Sequence, residues 1–391
     1  MTITHYLAGF YAVYFAFVGG MAPFLGLYLA QKNFDAVQIS MVLSLMQVMR
    51  IFAPSLWGYV ADRTQQPVRV VRWASVASAL SCSFIGWAQA FTTIFIVIAV
   101  MSFFWNATLP LVEVQTLNTL GKAIGAYGRI RLWGSLGFLL TVLGLGWFFD
   151  SFNVGYLPWF LIAIQWAIVV LAWCLPVTAR AAPSVVFRLA EPVVVPLRTL
   201  LKQPVVWGLL LACFFMGLAN GPYYTFYSLH LSTHGYNKTW IGGLWALGVV
   251  AEIGVFIFMA PLMQRFGLRG LLLLSFIVTA GRFVAMGWGV EQRILMVLLQ
   301  LLHAMTFGTY HAAALAAIHR CFAGVHQARG QALYSSVSYG VGGSIGAMLA
   351  GQLWAVGAGA WAFTLGGVFA LWGAYCIARY VHDDDLNSMN K

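Results

Sequence analysis

Two carboxylates and several cations lie inside long apolar stretches of this 391-residue sequence. The stretch LWALGVVAEIGVFIFMAPL, residues 244 to 262, contains Glu252 as its one carboxylate. A charge at the centre of a membrane-spanning helix costs about 2.5 to 3.5 kcal/mol on insertion scales, so such residues usually bind ions or substrates or relay protons. Carboxyl and imidazole groups exchange protons, and guanidinium groups hold carboxylates. The set comprises Glu113, Glu252, Arg50, Arg131, Arg282, His303 and His311.

The composition indicates the environment in which these groups must be positioned. Hydrophobic residues make up 61% of the chain and charged residues 8%, whereas soluble domains average about 25% charged residues. An integral membrane protein is therefore expected, with room for about a dozen helical spans. The alternating strands of an outer-membrane barrel are not evident. The first apolar run, from Tyr6 to Leu29, is long enough to span and lacks the pattern of a cleavable signal peptide.

Apolar runs and their polar breaks predict an all-α membrane protein with twelve transmembrane helices. The longest polar break, 178–203, divides them into two six-helix bundles, 1–177 and 204–382, and a cytoplasmic tail follows at 383–391. The predicted spans are 6–30, 38–61, 70–90, 93–119, 130–149, 156–177, 204–231, 239–263, 270–289, 294–318, 331–355 and 360–380.

The distribution of basic residues predicts the orientation. With the N-terminus inside, sixteen of the 21 Lys and Arg residues fall in the inner loops and tail. Positive residues favour the cytoplasmic side, so both termini are expected in the cytoplasm of a bacterial inner membrane. The net charge of +11 follows from this bias and gives no reason to expect nucleic-acid binding. Lipid is the expected surrounding, and a monomer is the expected state.

The two halves repeat in sequence. With an offset of 202 residues, ISMVLSLMQVMRIFAPSLWGYVADR (39–63) aligns with IGGLWALGVVAEIGVFIFMAPLMQR (241–265), which places Arg50 on Glu252 and Arg63 on Arg265. Parallel repeats of this kind occur in one transporter architecture, with the binding site near the midplane. Glycines crowd the fifth and eleventh spans, and Gly342 and Gly346 have the spacing that permits close helix contact. They predict either tight packing or a smooth surface for rocking motions.

The loop GYVADRTQQPVR (58–69) resembles the loop between helices 2 and 3 of the major facilitator superfamily, in which Gly58, Asp62 and Arg63 match. A degenerate copy, APLMQRFGLRG (260–270), contains Arg265. The resemblance covers essentially the whole chain and implies that these loop residues take part in conformational gating.

The intramembrane charges resemble those of lactose-permease-like proton symporters. Within that group, GRIRLWGSLGF (128–138), LGVVAEI (247–253) and QLLHAMTFGTYHAAA (300–314) look most like the 3-phenylpropionate permeases. The resemblance implies that Glu113 and Arg131 bind substrate and that Glu252, Arg282 and His303 couple protons. Lactose permeases carry a second carboxylate one turn beyond the helix 10 histidine, where this chain has Thr306. The coupling proton is therefore expected on Glu252, with Glu113 and the histidines as alternatives.

The interior charges and aromatic residues suggest the kind of cargo. Three intramembrane arginines against two carboxylates favour a small anion over a neutral sugar. Aromatic side chains on spans 1, 7 and 10, such as Tyr14 and Tyr310, could stack a flat ring. Together with the resemblance, they predict import of an aromatic carboxylate such as 3-phenylpropionate. The further candidates for the substrate site are Trp133, Asn220, Tyr224, Tyr227 and His311.

Other functions remain open at this point. A proton-coupled symporter of a neutral sugar or nucleoside fits the same pattern, and so does an efflux antiporter, although the fifth span lacks the Gly-Pro motif common in exporters. An enzyme is not expected, because the spans offer only two carboxylates and no HExxH or nucleotide-binding loop. The five cysteines have no metal-ligand spacing. No cofactor is expected; the expected partners are a small-molecule substrate and protons.

Overall fold

The computed structural model describes residues 3–120, 127–176 and 197–388, and these residues form helices joined by short turns. The chain splits into two compact units. One unit comprises Met1–Ala190 and Asn237–Gly243, and the other comprises Glu191–Tyr236 and Leu244–Lys391. Most of the predicted linker 178–203 lies outside the described residues.

The first unit contains six long helices. An Asp35 capping box begins the second: the side chain of Asp35 accepts from the Gln38 N–H at 2.8 Å, and the Gln38 amide oxygen accepts from the Asp35 N–H at 3.1 Å. Such reciprocal bonds satisfy donors that the helix start leaves free. The helices are α1 (Ile3–Gln31), α2 (Ala36–Thr64), α3 (Pro67–Ser83), α4 (Phe91–Leu120), α5 (Tyr127–Ser151) and α6 (Leu157–Cys174).

The second unit has six further spans and a short terminal helix. Three of the spans are irregular: α9 is kinked at Gly267, α10 contains a π-helical turn at Ala304–Thr309, and α11 contains one at Ser336–Gly342. The helices are α7 (Pro204–Thr233), α8 (Lys238–Ile257), α9 (Met259–Trp288), α10 (Arg293–Cys321), α11 (Gln327–Ser335, Ser336–Gly342 and Gly343–Ala355 in succession), α12 (Gly359–Tyr380) and α13 (Asp383–Ser388).

Within the described ranges, eleven helices are long and apolar enough to cross a membrane. They match eleven of the twelve predicted spans, and the twelfth, 331–355, falls within the segmented α11. The eighth and ninth spans differ most from the prediction. The predicted span 239–263 is interrupted after Ile257, and α9 begins at Met259 with Pro261 in its first turn, where proline is tolerated. The helix is broken again at Gly267, whose backbone is not helical (φ 65°, ψ 171°) and which lies in the predicted break 264–269.

The same pairs of helices pack in both units, as the sequence repeat requires. In the first unit α1 packs on α5 and α6, and α3 packs on α4 and α6. In the second unit the equivalent contacts join α7 to α11 and α12, and α9 to α10 and α12. Each of these helix contacts in the first unit therefore has an equivalent in the second unit.

Glycines allow the closest of these contacts. A Cβ atom on Gly137 of α5 would lie 1.9 Å from the Ala12 carbonyl oxygen of α1. On the equivalent pair, a Cβ on Gly346 of α11 would lie 2.4 Å from the Leu218 oxygen of α7, and one on Gly221 would lie 2.1 Å from the Gly346 carbonyl carbon. These glycines lie between helices of the same unit. Of the two alternatives, tight packing rather than a surface for rocking motions accounts for them.

Gly137→Ala is expected to destabilise the protein by about 1 to 3 kcal/mol, because the methyl group must push α5 away from α1. Gly144 lies on the same helix and offers a matched control, since a Cβ there meets nothing within 4 Å. Gly144→Ala should stay within about 0.5 kcal/mol of wild type. Thermal unfolding of the purified protein in detergent would compare the two, and equal effects would contradict the packing argument.

Candidate functional site

Glu252 of α8 and His303 of α10 form a close pair in the second unit. The distance between Glu252 Oε1 and His303 Nε2 is 2.8 Å, and the two side chains are 15% and 6% exposed. Glycines bring the two helices together: a Cβ on Gly248 would lie 3.1 Å from the His303 ring, and one on Gly308 would lie 3.0 Å from Val255. The pair can hold one proton between an acid and a base, shielded from water.

Arg282 of α9 lies beside this pair and is only 1% exposed. Its Nε donates to the Leu299 carbonyl oxygen at 2.7 Å, and its two terminal nitrogens donate to Thr306 Oγ1 at 3.0 Å and Gln300 Oε1 at 3.2 Å. Across the described ranges no carboxylate oxygen lies within 4.0 Å of this guanidinium. An ion pair between Arg282 and Glu252 is therefore not what holds Glu252. Thr306, the departure from the lactose-permease pattern, is instead a neutral acceptor for Arg282.

Aromatic rings surround the charged groups. The Arg282 guanidinium lies 4.8 Å from the centroid of the Tyr223 ring, a distance typical of cation–π contacts. The Tyr223 hydroxyl donates to Gln300 Oε1 at 3.3 Å. Tyr223 also contacts the rings of Tyr227, Trp245 and His303, with centroids 4.9, 5.0 and 5.3 Å away. Apart from its polar contacts, Arg282 is therefore enclosed by apolar surface.

The π-helical turn of α10 begins directly after His303. Such turns are frequent at functional sites because they shift the register of the side chains that follow. Here Phe307 stacks between His303 and His311, with centroid distances of 5.5 and 5.9 Å and interplanar angles of 11° and 8°. Tyr310, suggested from the sequence as a ring that could stack on the cargo, is 2% exposed and packs against Phe276. A regular 3.6-residue helix would place it on the same face as His303, and the π-helical turn moves it off that face.

His311 joins a hydrogen-bonded cluster with two tyrosines of α11. Its Nδ1 lies 3.0 Å from the Tyr334 hydroxyl and 2.9 Å from the Tyr339 hydroxyl, and the two hydroxyls are 3.1 Å apart. Tyr339 belongs to the π-helical turn of α11. The π-helical turn of α11 thus meets α10 at His311, two residues after the π-helical turn of that helix.

Glu113 and Arg131 come together in the first unit. Arg131 Nε lies 4.0 Å from Glu113 Oε1, and the side chains are 34% and 37% exposed. The Tyr127 hydroxyl donates to the same carboxylate oxygen at 3.5 Å. The Arg131 guanidinium lies 4.1 Å from the centroid of the Phe15 ring on α1. Helices α1, α4 and α5 therefore contribute to one partly exposed charged site.

Trp133 lies elsewhere. It is 51% exposed and shares the outward face of α5 with Leu136, Leu140 and Trp147, which are also exposed. Two residues along a helix correspond to a rotation of about 200°, so a side chain that follows Arg131 by two points away from it. The structure therefore does not bring Trp133 beside Arg131, and its contact with the substrate stays a prediction.

The candidates on α7 have different surroundings. Tyr224 is half-buried and lies 6.5 Å from the Phe307 ring. Tyr227 is fully buried against Tyr223, so it supports the site without an exposed face. Asn220 is half-buried and donates its side-chain N–H to the Met216 carbonyl oxygen of its own helix. Of Asn220, Tyr224 and Tyr227, only Tyr224 therefore lies next to the stacked rings of His303, Phe307 and His311.

The proposed gating residues lie near helix ends: Gly58, Asp62 and Arg63 are in the last two turns of α2, and Arg265 is in the second turn of α9. Arg63 donates to the Tyr59 hydroxyl at 2.8 Å, and the Arg265 guanidinium lies 5.5 Å from the Phe266 ring. Asp62 is exposed at the end of α2. Around Gly58 a Cβ would meet nothing within 4 Å. Among the described residues, no other helix therefore packs closely against Gly58 in this conformation.

Some neighbours of the charged groups were missed by the sequence analysis. Gln300 bonds both Arg282 and Tyr223, and its position three residues before His303 puts it on the same helical face. Trp245 precedes Glu252 by seven residues, again two turns away on one face. Phe15, which contacts Arg131, had no such signal, because its approach depends on the packing of α1 against α5.

The fold and the buried charges define a class of protein. Twelve spans in two repeated units, with ionisable groups inside the apolar region, are typical of a secondary transporter of the major facilitator superfamily. A model of the MFS_1 like family matches residues 4–365. The chain belongs to this family and is a multi-pass membrane protein.

Relatives and solved structures agree with this assignment. The chain is 28% identical over 357 residues to a maltose permease of Geobacillus stearothermophilus, covering 89% of this chain and 88% of the relative. It is 28% identical over 362 residues to a probable 3-phenylpropionic acid transporter of Escherichia coli, covering 88% and 89%. The crystal structure of the nucleoside transporter NupG superposes with a TM-score of 0.84 at 16% identity, covering 97% of this chain and 98% of that one. The last similarity shows the fold alone.

Proposed function

We propose that this transporter imports a small aromatic carboxylate, such as 3-phenylpropionate, together with a proton. The observation that carries the proposal is the buried Glu252–His303 pair, whose facing atoms are 2.8 Å apart. A carboxylate and an imidazole at this distance form an acid–base pair that can gain and lose a proton inside a membrane protein. The similarity to the phenylpropionate transporter supports the choice of cargo.

The residues near the pair suggest how a proton and an anion are linked. When Glu252 takes up a proton, it loses its negative charge, while the neutral partners of Arg282 leave that cation uncompensated. The interior then carries more positive charge and holds an anionic substrate better. Release of the substrate removes that negative charge and favours loss of the proton. Coupling of this kind needs no direct contact between proton and substrate.

The remaining roles follow the family resemblance. Glu113 and Arg131 bind the substrate in the first unit, and Tyr224 and His311 are the matching candidates in the second. Gly58, Asp62, Arg63 and Arg265 act in gating, and transport proceeds by the alternating access expected of repeat-based transporters. The protein acts as a monomer in the bacterial inner membrane with both termini in the cytoplasm.

Uptake of labelled 3-phenylpropionate into proteoliposomes is the test. An inward proton gradient should drive accumulation, and an ionophore that dissipates the gradient should remove it. If one proton accompanies one carboxylate, transport is electroneutral, so an imposed potassium diffusion potential should leave the accumulation unchanged. Uptake that is independent of the proton gradient would overturn the coupling, and no uptake at all would overturn the cargo.

A proton-coupled sugar transporter is the second candidate, because the chain is equally similar in identity to the maltose permease. Maltose and a panel of neutral sugars therefore belong in the same uptake experiment. Accumulation of maltose without accumulation of the aromatic acid would establish this candidate in place of the first.

A further inference from the structure

The three arginines predicted from the sequence to be intramembrane, Arg50, Arg131 and Arg282, differ in how their charge is satisfied. Arg282 makes three hydrogen bonds to neutral oxygens and is enclosed. Arg131 faces the Glu113 carboxylate at 4.0 Å and stacks on Phe15. Two of the three arginines therefore already have partners inside their own unit.

Arg50 is the exception. It stands midway along α2 (Ala36–Thr64) and is half-buried. Within the part of the chain that the structure describes, it makes no ion pair and no hydrogen bond. A charged group held near the middle of a span without a partner is costly, and such residues are generally paired, hydrated or bound to a ligand. An anion is the partner that this guanidinium lacks.

The surroundings of Arg50 suit an organic anion. The Tyr14 side chain of α1 lies within electrostatic range of Arg50, Glu113 and Arg131 together. The Tyr14 ring stacks on Trp105 of α4 with centroids 4.5 Å apart and an interplanar angle of 4°. Both rings are buried, with 4% and 2% of their surface exposed, so they hold α1 against α4, while the half-buried guanidinium of Arg50 is the group that can bind a carboxylate. The Glu113 carboxylate nearby disfavours a second negative charge on the ligand.

The sequence repeat adds an independent argument. The offset of 202 residues aligns Arg50 in the first repeat with Glu252 in the second. Glu252 is the acid of the buried acid–imidazole pair. The two repeats thus carry opposite charges at one equivalent position, which is the arrangement expected if one repeat handles the proton and the other handles the anion.

We propose that Arg50 is the residue that binds the carboxylate of the transported acid. This inference rests on the proposed function. Glu113 and Arg131 then bind the substrate away from its carboxylate, and Arg282 remains with its neutral partners. The cargo is expected to be a monocarboxylate with an aromatic or other flat apolar group.

Counterflow exchange in proteoliposomes, with labelled 3-phenylpropionate and unlabelled competitors, would test the proposal. The competitors are 3-phenylpropionate and its neutral amide, 3-phenylpropionamide, compared for wild type, Arg50→Gln, Arg50→Lys and the control Arg379→Gln. Arg379 is exposed at the end of α12. In Arg50→Gln the affinity for the acid should fall about 30-fold or more, because the carboxylate of the substrate loses its charged partner. Its affinity for the amide should change less than about threefold, and Arg50→Lys should regain part of the affinity for the acid.

The outcomes distinguish a failure of the inference about Arg50 from a failure of the proposed function. If wild type exchanges the acid and Arg50→Gln still prefers the acid to the amide as wild type does, Arg50 is not the carboxylate ligand, while the proposed function stands. If wild type itself neither exchanges nor accumulates the acid, the proposed function fails, and this inference fails with it. Loss of both ligands in Arg50→Gln together with no recovery in Arg50→Lys would assign Arg50 a structural role and overturn the proposal.

Discussion

Glu252→Gln is expected to abolish accumulation of the substrate while exchange of the substrate across the membrane continues. Glutamine has nearly the same size as glutamate and can keep a hydrogen bond to His303 Nε2, which lies 2.8 Å from the carboxylate. It cannot take up or release a proton. The conformational cycle with bound substrate should therefore survive, whereas its link to the proton gradient should not.

The expected size of the effect follows from the driving force. A proton gradient of one pH unit corresponds to about 1.4 kcal/mol, or a tenfold concentration ratio for one proton per substrate. Wild-type vesicles should approach about tenfold accumulation of 3-phenylpropionate under that gradient. Glu252→Gln vesicles should accumulate no more substrate than protein-free vesicles, which the protonated acid enters by diffusion, with a counterflow rate within a few-fold of wild type.

Glu113→Gln is the matched control, because Glu113 is the other carboxylate predicted within a span and receives the same substitution. It pairs with Arg131 at 4.0 Å and is partly exposed. This variant should weaken substrate binding, so its exchange should fall, and whatever substrate it moves should remain coupled to protons. The opposite result, with accumulation kept in Glu252→Gln and lost in Glu113→Gln, would move the coupling proton to Glu113.

The helices were predictable from the sequence because lipid imposes a simple rule. A backbone that crosses hydrocarbon must satisfy its own hydrogen bonds, so each span needs about 20 apolar residues. Between the eighth and ninth spans the sequence predicted only one of two interruptions: Gly267 breaks the helix within the predicted break 264–269, whereas the interruption after Ile257 falls inside an unbroken apolar run. The repeat was predictable too, and the equivalent packing of α1 on α5 and α7 on α11 agrees with it.

The charged groups were predictable, but their partners were not. The free-energy cost of placing a charge inside a membrane span is enough to single out Glu252, His303 and Arg282. Sequence spacing does not show that Glu252 meets the histidine and that Arg282 meets Leu299, Gln300 and Thr306, since those contacts depend on how α8, α9 and α10 approach one another. Tyr310 is moved off the face of His303 by a π-helical turn, which leaves no clear trace in residue spacing.

Arg282→Lys is expected to abolish transport even though it keeps the positive charge. The guanidinium of Arg282 spans three acceptors, at 2.7 Å from the Leu299 oxygen, 3.0 Å from Thr306 Oγ1 and 3.2 Å from Gln300 Oε1. It also stacks on the Tyr223 ring at 4.8 Å. An ammonium is a compact point charge that cannot reproduce this planar fork. At least one buried acceptor should lose its donor, and the stacking contact should be lost as well.

Each unsatisfied buried group costs about 1 to 3 kcal/mol, so Arg282→Lys should lower the melting temperature in detergent and reduce exchange by at least about tenfold. Arg379→Lys is the control, because that side chain is exposed at the end of α12, and it should match wild type in both measurements. The loss of exchange distinguishes this variant from Glu252→Gln, which should lose only accumulation. If Arg282→Lys exchanged and melted like wild type, charge alone would be sufficient at this position. The geometry of the neutral acceptors, including Thr306, would then have no part in transport.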